Sequence, residues 1–177
     1  MSILRGYIGK YILALVFAFS FNTYSQNDIK NFPTPIYQNR FKEFEEVFDK
    51  YSENKPIGLS ELEFKSLLVA IAERESSLGY PNGRKKDPNM IMGFGNPNKD
   101  KYKGLENQLD LSSECLKDAF DERNMNYKAA FDECGKDKLK AILSIYNQGK
   151  INSKGMKYAE EVYFSYKKWF NYFKAQS

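Results

Sequence analysis

Glu75 is the residue of this chain best placed to do acid–base chemistry. It lies in the stretch Ala70-Ile71-Ala72-Glu73-Arg74-Glu75-Ser76-Ser77-Leu78-Gly79. Read as a helix from Ser60 to Leu78, at about 100° per residue, this segment puts Phe64, Leu67, Leu68, Ile71 and Leu78 on one apolar stripe. Glu75 falls inside the stripe, and Glu73 falls on roughly the opposite side. An ionised carboxylate on a buried face is costly unless it is paired or protonated. Burial raises a carboxyl pKa, which is the property a general acid needs near neutral pH. The competing reading is a structural glutamate, hydrogen-bonded at a helix end. No histidine occurs anywhere in the chain, which excludes Ser-His-Asp and Cys-His catalysis and argues against a typical zinc site. The expectation is therefore a carboxylate chemistry with no metal and no cofactor.

The elements around Glu75 follow from periodicity. Phe41, Phe44, Phe48 and Tyr51 recur at three- and four-residue spacing, which predicts one amphipathic helix from Ile36 to Tyr51. Ser60 and Glu63 form the S-x-x-E pattern of a capping box at the start of the Glu75 helix. That helix is expected to stop near Gly79-Tyr80-Pro81, because proline disfavours helical geometry in the residue before it. Residues 79–104 hold five glycines and three prolines, a long loop of the kind that in a compact domain is usually functional. Met90, Ile91, Met92 and Phe94 in its middle need burial, and a short hairpin fits here. Further helices are predicted around Leu105–Phe120, Tyr127–Cys134, Lys136–Asn147 and Met156–Phe173. On the last, Ala159, Val162, Tyr163, Tyr166, Trp169 and Phe170 are expected to face inward, either docking the helix on the core or offering a sugar-stacking surface.

Residues 1–25 read as a secretory signal. Arg5 and Lys10 precede the apolar run Tyr11–Phe21, which is short for a membrane span, and Ser25 offers a small residue for cleavage. An uncleaved anchor is the alternative. Residues 26–35 form a flexible lead-in broken by Pro33 and Pro35, and 36–177 form one mostly α domain. Removing the signal lowers the formal charge from +4 to about +2, too little to argue for nucleic acid. A mild positive balance suits an anionic wall polymer. In an exported chain Cys115 and Cys134 are candidates for a disulfide closing a loop of about 20 residues, worth about 3 kcal/mol in the chain-entropy model; two separately buried thiols are the other reading.

Two segments taken together carry a resemblance. Ala70–Gly79 ends in Glu75-Ser76, and Ala141-Ile142-Leu143-Ser144-Ile145-Tyr146-Asn147-Gln148-Gly149 follows much later, with a Gly-rich loop between. The pair resembles the lysozyme-like superfamily, in particular the transglycosylase SLT-type domains that cut peptidoglycan. The resemblance covers roughly Leu67 to Phe164. It implies a lysozyme-like single domain in which Glu75 is the catalytic acid and Tyr146 lies close to it. It also implies sugar contacts from Ser76, Met92, Gly93, Phe94, Asn147 and Tyr158. Ile145 stands where the family has alanine, and Asn89-Met90-Ile91-Met92-Gly93-Phe94-Gly95 stands where it has Gly-Leu-Met-Gln, with no Gln after Met92.

The implied activity is an exported glycosidase, a lytic transglycosylase or muramidase, acting on the glycan strand in the periplasm or outside the cell. In the resembled family one Glu protonates the glycosidic oxygen, the substrate's own 2-acetamido group stabilises C1, and the same Glu then acts as base. Attack by the sugar's 6-hydroxyl gives an anhydro end; attack by water, positioned by Asp87 or Asp100, gives a reducing end. The partners expected are peptidoglycan strands, an envelope or secretion machine and no nucleic acid, with a monomeric chain. The altered loop leaves a second reading, a non-catalytic glycan-binding or scaffold module on the same fold.

Overall fold

A computed structural model describes residues 31–56, 58–80, 86–93, 103–121 and 125–177. The expected signal, most of the lead-in, Phe94, Asp100 and Tyr102 lie outside the described residues. Chain contacts separate Met1–Phe32 from Pro33–Ser177. Among the described residues the second unit is mostly helical: α1 (Pro35–Lys42), α2 (Glu45–Ser52), α3 (Glu61–Ser76), α4 (Leu105–Phe120), α5 (Met125–Glu133), α6 (Lys138–Gln148) and α7 (Ser153–Lys174). A short 3-10 turn at Pro88–Met90 is the only regular element in the described part of the long loop, so the expected hairpin is not found there. No helix of the described residues is long and apolar enough to cross a membrane.

The helix starts obey their local chemistry. Ser60 and Glu63 close the capping box on α3, with Ser60 N–H donating to Glu63 Oε2 at 2.7 Å. Asp137 caps α6 by accepting from Lys140 N–H, and Asn152 caps α7 by accepting from Gly155 N–H at 2.9 Å. Gly149, left-handed at φ +66°, ends α6. That short link turns α7 back against α6, and α7 also packs along α3.

The middle of α3 is buried all round, from Ser66 to Ala72, and is not a one-faced amphipathic helix. Below it Phe41, Trp169 and Phe173 form an aromatic cluster with ring centroids 5.1–5.5 Å apart. Burying each such ring contributes about 1.5–3 kcal/mol. Lys65 lies over Phe41 and Phe173, and its ammonium is paired with Asp49.

Three expectations need correction. The single helix over Ile36–Tyr51 is two helices, broken at Glu43 and Phe44. Phe44 leaves helical geometry (φ −128°, ψ 3°) to pack its ring on Gly79, and Glu43 turns to accept from Tyr80 Oη (2.6 Å) and Lys86 Nζ (2.7 Å). Those bonds to Lys86 and Tyr80 hold the Glu43 carboxyl below its usual range. Periodicity cannot register a break made by partners forty residues away. The Glu75 helix stops at Ser76, earlier than Pro81 requires. Glu73 is not on a solvent side: Trp169 Nε1–H donates to its Oε2 at 2.7 Å, pinning α3 to α7.

Burial pushes the Glu73 carboxyl above its usual pKa, and the Trp169 bond, Ser165 and Lys168 pull it only partly back. A raised folded-state pKa in an acid favours folding below the unfolded pKa and costs stability as pH rises through the folded value. Glu73→Gln, which can still accept from Trp169, should therefore raise Tm near neutral pH by up to a few degrees. The gain should vanish below about pH 4, where Glu73 is protonated in both states; thermal melts across that range measure it.

Candidate active site

The carboxylate end of α3 is built by an unusual stop. Ser77, Leu78 and Gly79 take φ values of +53°, +60° and +76° in succession. Left-handed geometry costs a non-glycine residue about 1–2 kcal/mol, so this run persists only because its surroundings over-determine it. Leu78 is completely buried and its N–H donates to Ala72 O at 3.0 Å. Arg40 Nη1 donates to Ser77 O at 3.0 Å and lies over the Tyr80 ring. Ser76 Oγ accepts from Gly79 N–H (2.7 Å) and donates toward Ile91 O (2.8 Å), tying the helix end to the returning loop.

That tie places Gly93 against Glu75. Gly93 has φ +74°, and a Cβ built there would sit 2.5 Å from Glu75 Oε2 and 3.0 Å from its Cδ. Only glycine satisfies both the backbone and the approach. The loop backbone is held from the other side by Gln108, a fully buried side chain whose Oε1 accepts from Met92 N–H at 3.3 Å.

Two phenols complete the enclosure. Tyr146 on α6 and Tyr158 on α7 stack with centroids 6.2 Å apart and planes at 26°. Burial raises both phenol pKa values, and the nearby Glu75 charge adds to each shift. Both therefore stay neutral and act as O–H donors. Tyr146 Oη is hydrogen-bonded to Ser112 Oγ at 2.9 Å, which partly offsets its shift. Tyr158, only 4% exposed, has a buried hydroxyl with no partner in hydrogen-bonding geometry, although Glu75 is close enough to favour its protonated form.

Glu75 is half-buried and opens onto a groove of about 270 Å³. Arg74 and Asn147 share its walls, and α7 supplies Lys154, Lys157, Tyr158 and Glu161. Arg74 Nε is 2.5 Å from Glu161 Oε2, so this neighbour of Glu75 is turned away from it to another carboxylate.

Of the residues expected at a site, Glu75, Asn147 and Tyr158 line one groove, with Tyr146 and Gly93 packed directly behind. Tyr158 lies inside α7, not ahead of the final helix. Ser76 and Met92 are corrections: both are buried, the Ser76 hydroxyl serves the main chain and the Met92 side chain belongs to the core, so they position the site and do not face a sugar. Asp87 is occupied in capping the 3-10 turn through Asn89 N–H. Phe94 and Asp100 are outside the described residues. The expected Cys115–Cys134 bridge is also corrected: both thiols are free. Each helix bearing a cysteine packs chiefly on α6, which keeps them on separate neighbours, and Cys134 is engaged with Ser144.

Residues 154, 157, 158 and 161 are spaced i, i+3, i+4, i+7, and this polar stripe was the available signal for the groove wall. Gln108 and Ser112, polar residues four apart on an otherwise apolar face of α4, were the signal for the loop and Tyr146 supports. No group of three or more His, Cys, Asp or Glu among the described residues has the arrangement of a metal site. No protein-family model, curated protein or solved structure matches the chain.

Gly93→Ala should lower stability by about 1–2 kcal/mol from the backbone conformation alone, and by more if the clash with Glu75 is real. In a Glu75→Ala background the excess should disappear, leaving the conformational part. Urea unfolding of the four members of this double-mutant cycle measures the coupling.

Proposed function

We propose that this chain is an exported glycosidase that cuts the glycan strand of peptidoglycan, with a lysozyme-like arrangement in which Glu75 is the general acid and base. One observation carries the reading: Glu75 sits at the end of a buried helix, enclosed by Gly93 and the Tyr146–Tyr158 pair, and opens on one side to a polar groove. Such a carboxyl can approach a glycosidic oxygen while the rest of its surroundings exclude water.

The chemistry assigns each group a task. Glu75 donates its proton to the leaving oxygen as the bond to C1 breaks. The substrate's acetamido oxygen stabilises the cation at C1, which removes the need for a second carboxylate nucleophile. Glu75, now ionised, takes the proton of the attacking hydroxyl, whether the sugar's own or that of water. Neutral Tyr158 and Tyr146 favour the ionised form of Glu75 without competing for its proton, since an O–H donor beside a carboxylate lowers the cost of its charge. Asn147, at the mouth of the groove, is suited to an amide or hydroxyl of the sugar.

Glu75→Gln keeps the size of the side chain and removes its acid. The variant should melt like the parent and lose cell-wall lysis by about 10²–10⁴-fold, the usual contribution of a general acid. Zymography on purified wall reads the activity, and equal clearing by the variant would exclude Glu75. Binding of wall by the parent chain without any clearing would instead identify a glycan-binding module.

A further inference from the structure

Lys154 and Lys157 are placed against the local electrostatics. They occupy the first two turns of α7, a 22-residue helix with no acid in its first turn. The start of a helix carries partial positive charge and favours acidic residues, so lysines there do not serve the helix. Lys157 reaches Glu161 only at 3.9 Å with 80% of its side chain exposed, and Glu161 is already bonded to Arg74 at 2.5 Å. Lys154 has no ion-pair partner among the described residues. Both line the groove that contains Glu75.

An independent feature of the same groove points to a ligand. The Tyr158 hydroxyl is buried, lacks a hydrogen-bond partner and belongs to the groove wall. Buried polar groups are nearly always satisfied, and one left open beside a cavity is accounted for by what enters the cavity. One wall thus offers two free ammonium groups and, beside them, one unspent O–H.

From this juxtaposition we infer that the groove selects a saccharide bearing a carboxylate, with Lys154 and Lys157 as the residues that read the acid and the Tyr158 hydroxyl bonding an oxygen of the same sugar. A glycan with a lactyl ether acid on the ring has this chemistry, and a neutral acetamido-glycan does not. The inference rests on the proposed function for the ligand being a glycan. It adds that affinity comes from the charged substituent as well as from the ring.

The test uses the full chain carrying Glu75→Gln, so that ligand is bound without being cut. Peptide-free wall glycan with its lactyl carboxylates intact, and the same glycan after carboxyl reduction, are each titrated calorimetrically. The carboxylate form should bind more tightly, and its advantage should shrink as salt rises. Adding Lys154→Gln and Lys157→Gln should weaken binding of the carboxylate form about ten-fold. Lys167→Gln, an equal loss of charge outside the groove, should not. Equal affinity for the two glycans, no binding of either, or the same loss from Lys167→Gln would overturn the inference. Wall clearing by the parent chain is read separately: clearing without carboxylate preference sinks only the inference, and preference without clearing sinks only the enzymatic reading. The lysines are exposed, so folding is not at stake; Lys154→Glu with Lys157→Glu should deepen the same loss.

Discussion

The whole site hangs on how α3 ends. A helix whose middle is buried on every side must release its chain within one turn of Glu75, and the residues that do so are Ser77 and Leu78, neither of which favours left-handed geometry. The strain is held by contacts from three directions: the Leu78 side chain in the core, Arg40 on the Ser77 carbonyl, and the Ser76 hydroxyl between Gly79 and Ile91. The last of these also returns the long loop to the helix end and brings Gly93 onto the Glu75 carboxylate. Strain at a conspicuous carboxylate, over-determined by its surroundings, is a reason to look for function there.

The chemical character of the site is divided among elements. The loop supplies close-packed backbone, which leaves no room for water on that side of Glu75. The α6–α7 hairpin supplies two buried phenols whose protons are retained through burial and the neighbouring negative charge. The first turns of α7 supply cations, and Glu161 neutralises Arg74 so that positive charge remains concentrated on Lys154 and Lys157. Sheltered acid, neutral donors and an open cationic rim are three environments within one groove. Each comes from a different burial level, because exposure decides whether a charge is solvated, suppressed or left for a ligand.

Helix positions were largely legible. The starts at Ser60 and Leu105, and the extents of α5, α6 and α7 to within a few residues, follow from caps and apolar period. The break between α1 and α2 was not, because Phe44 and Glu43 leave the helix for Gly79, Tyr80 and Lys86. Glu73 was misplaced for a related reason: an amphipathic wheel assumes one wet face, and α3 is covered by α7 where the wheel has water. The polar supports Ser112 and Gln108 were visible as anomalies on an apolar face, but nothing local named Tyr146 or the loop backbone as their partners.

By itself the sequence determined a mostly helical chain, an acid on a helix face that should be dry, and a tyrosine and asparagine far downstream near a helix end. Those are consequences of residue type and short-range spacing, which act before any tertiary contact exists. Only the folded structure decided that Glu75, Tyr146 and Tyr158 meet, that Ser76 and Met92 are spent on the framework, and that the two cysteines stay apart. Proximity between residues seventy or more positions apart arises from the packing of α3, α6 and α7 on one another. That packing is set by the sum of many buried surfaces, which no single motif encodes.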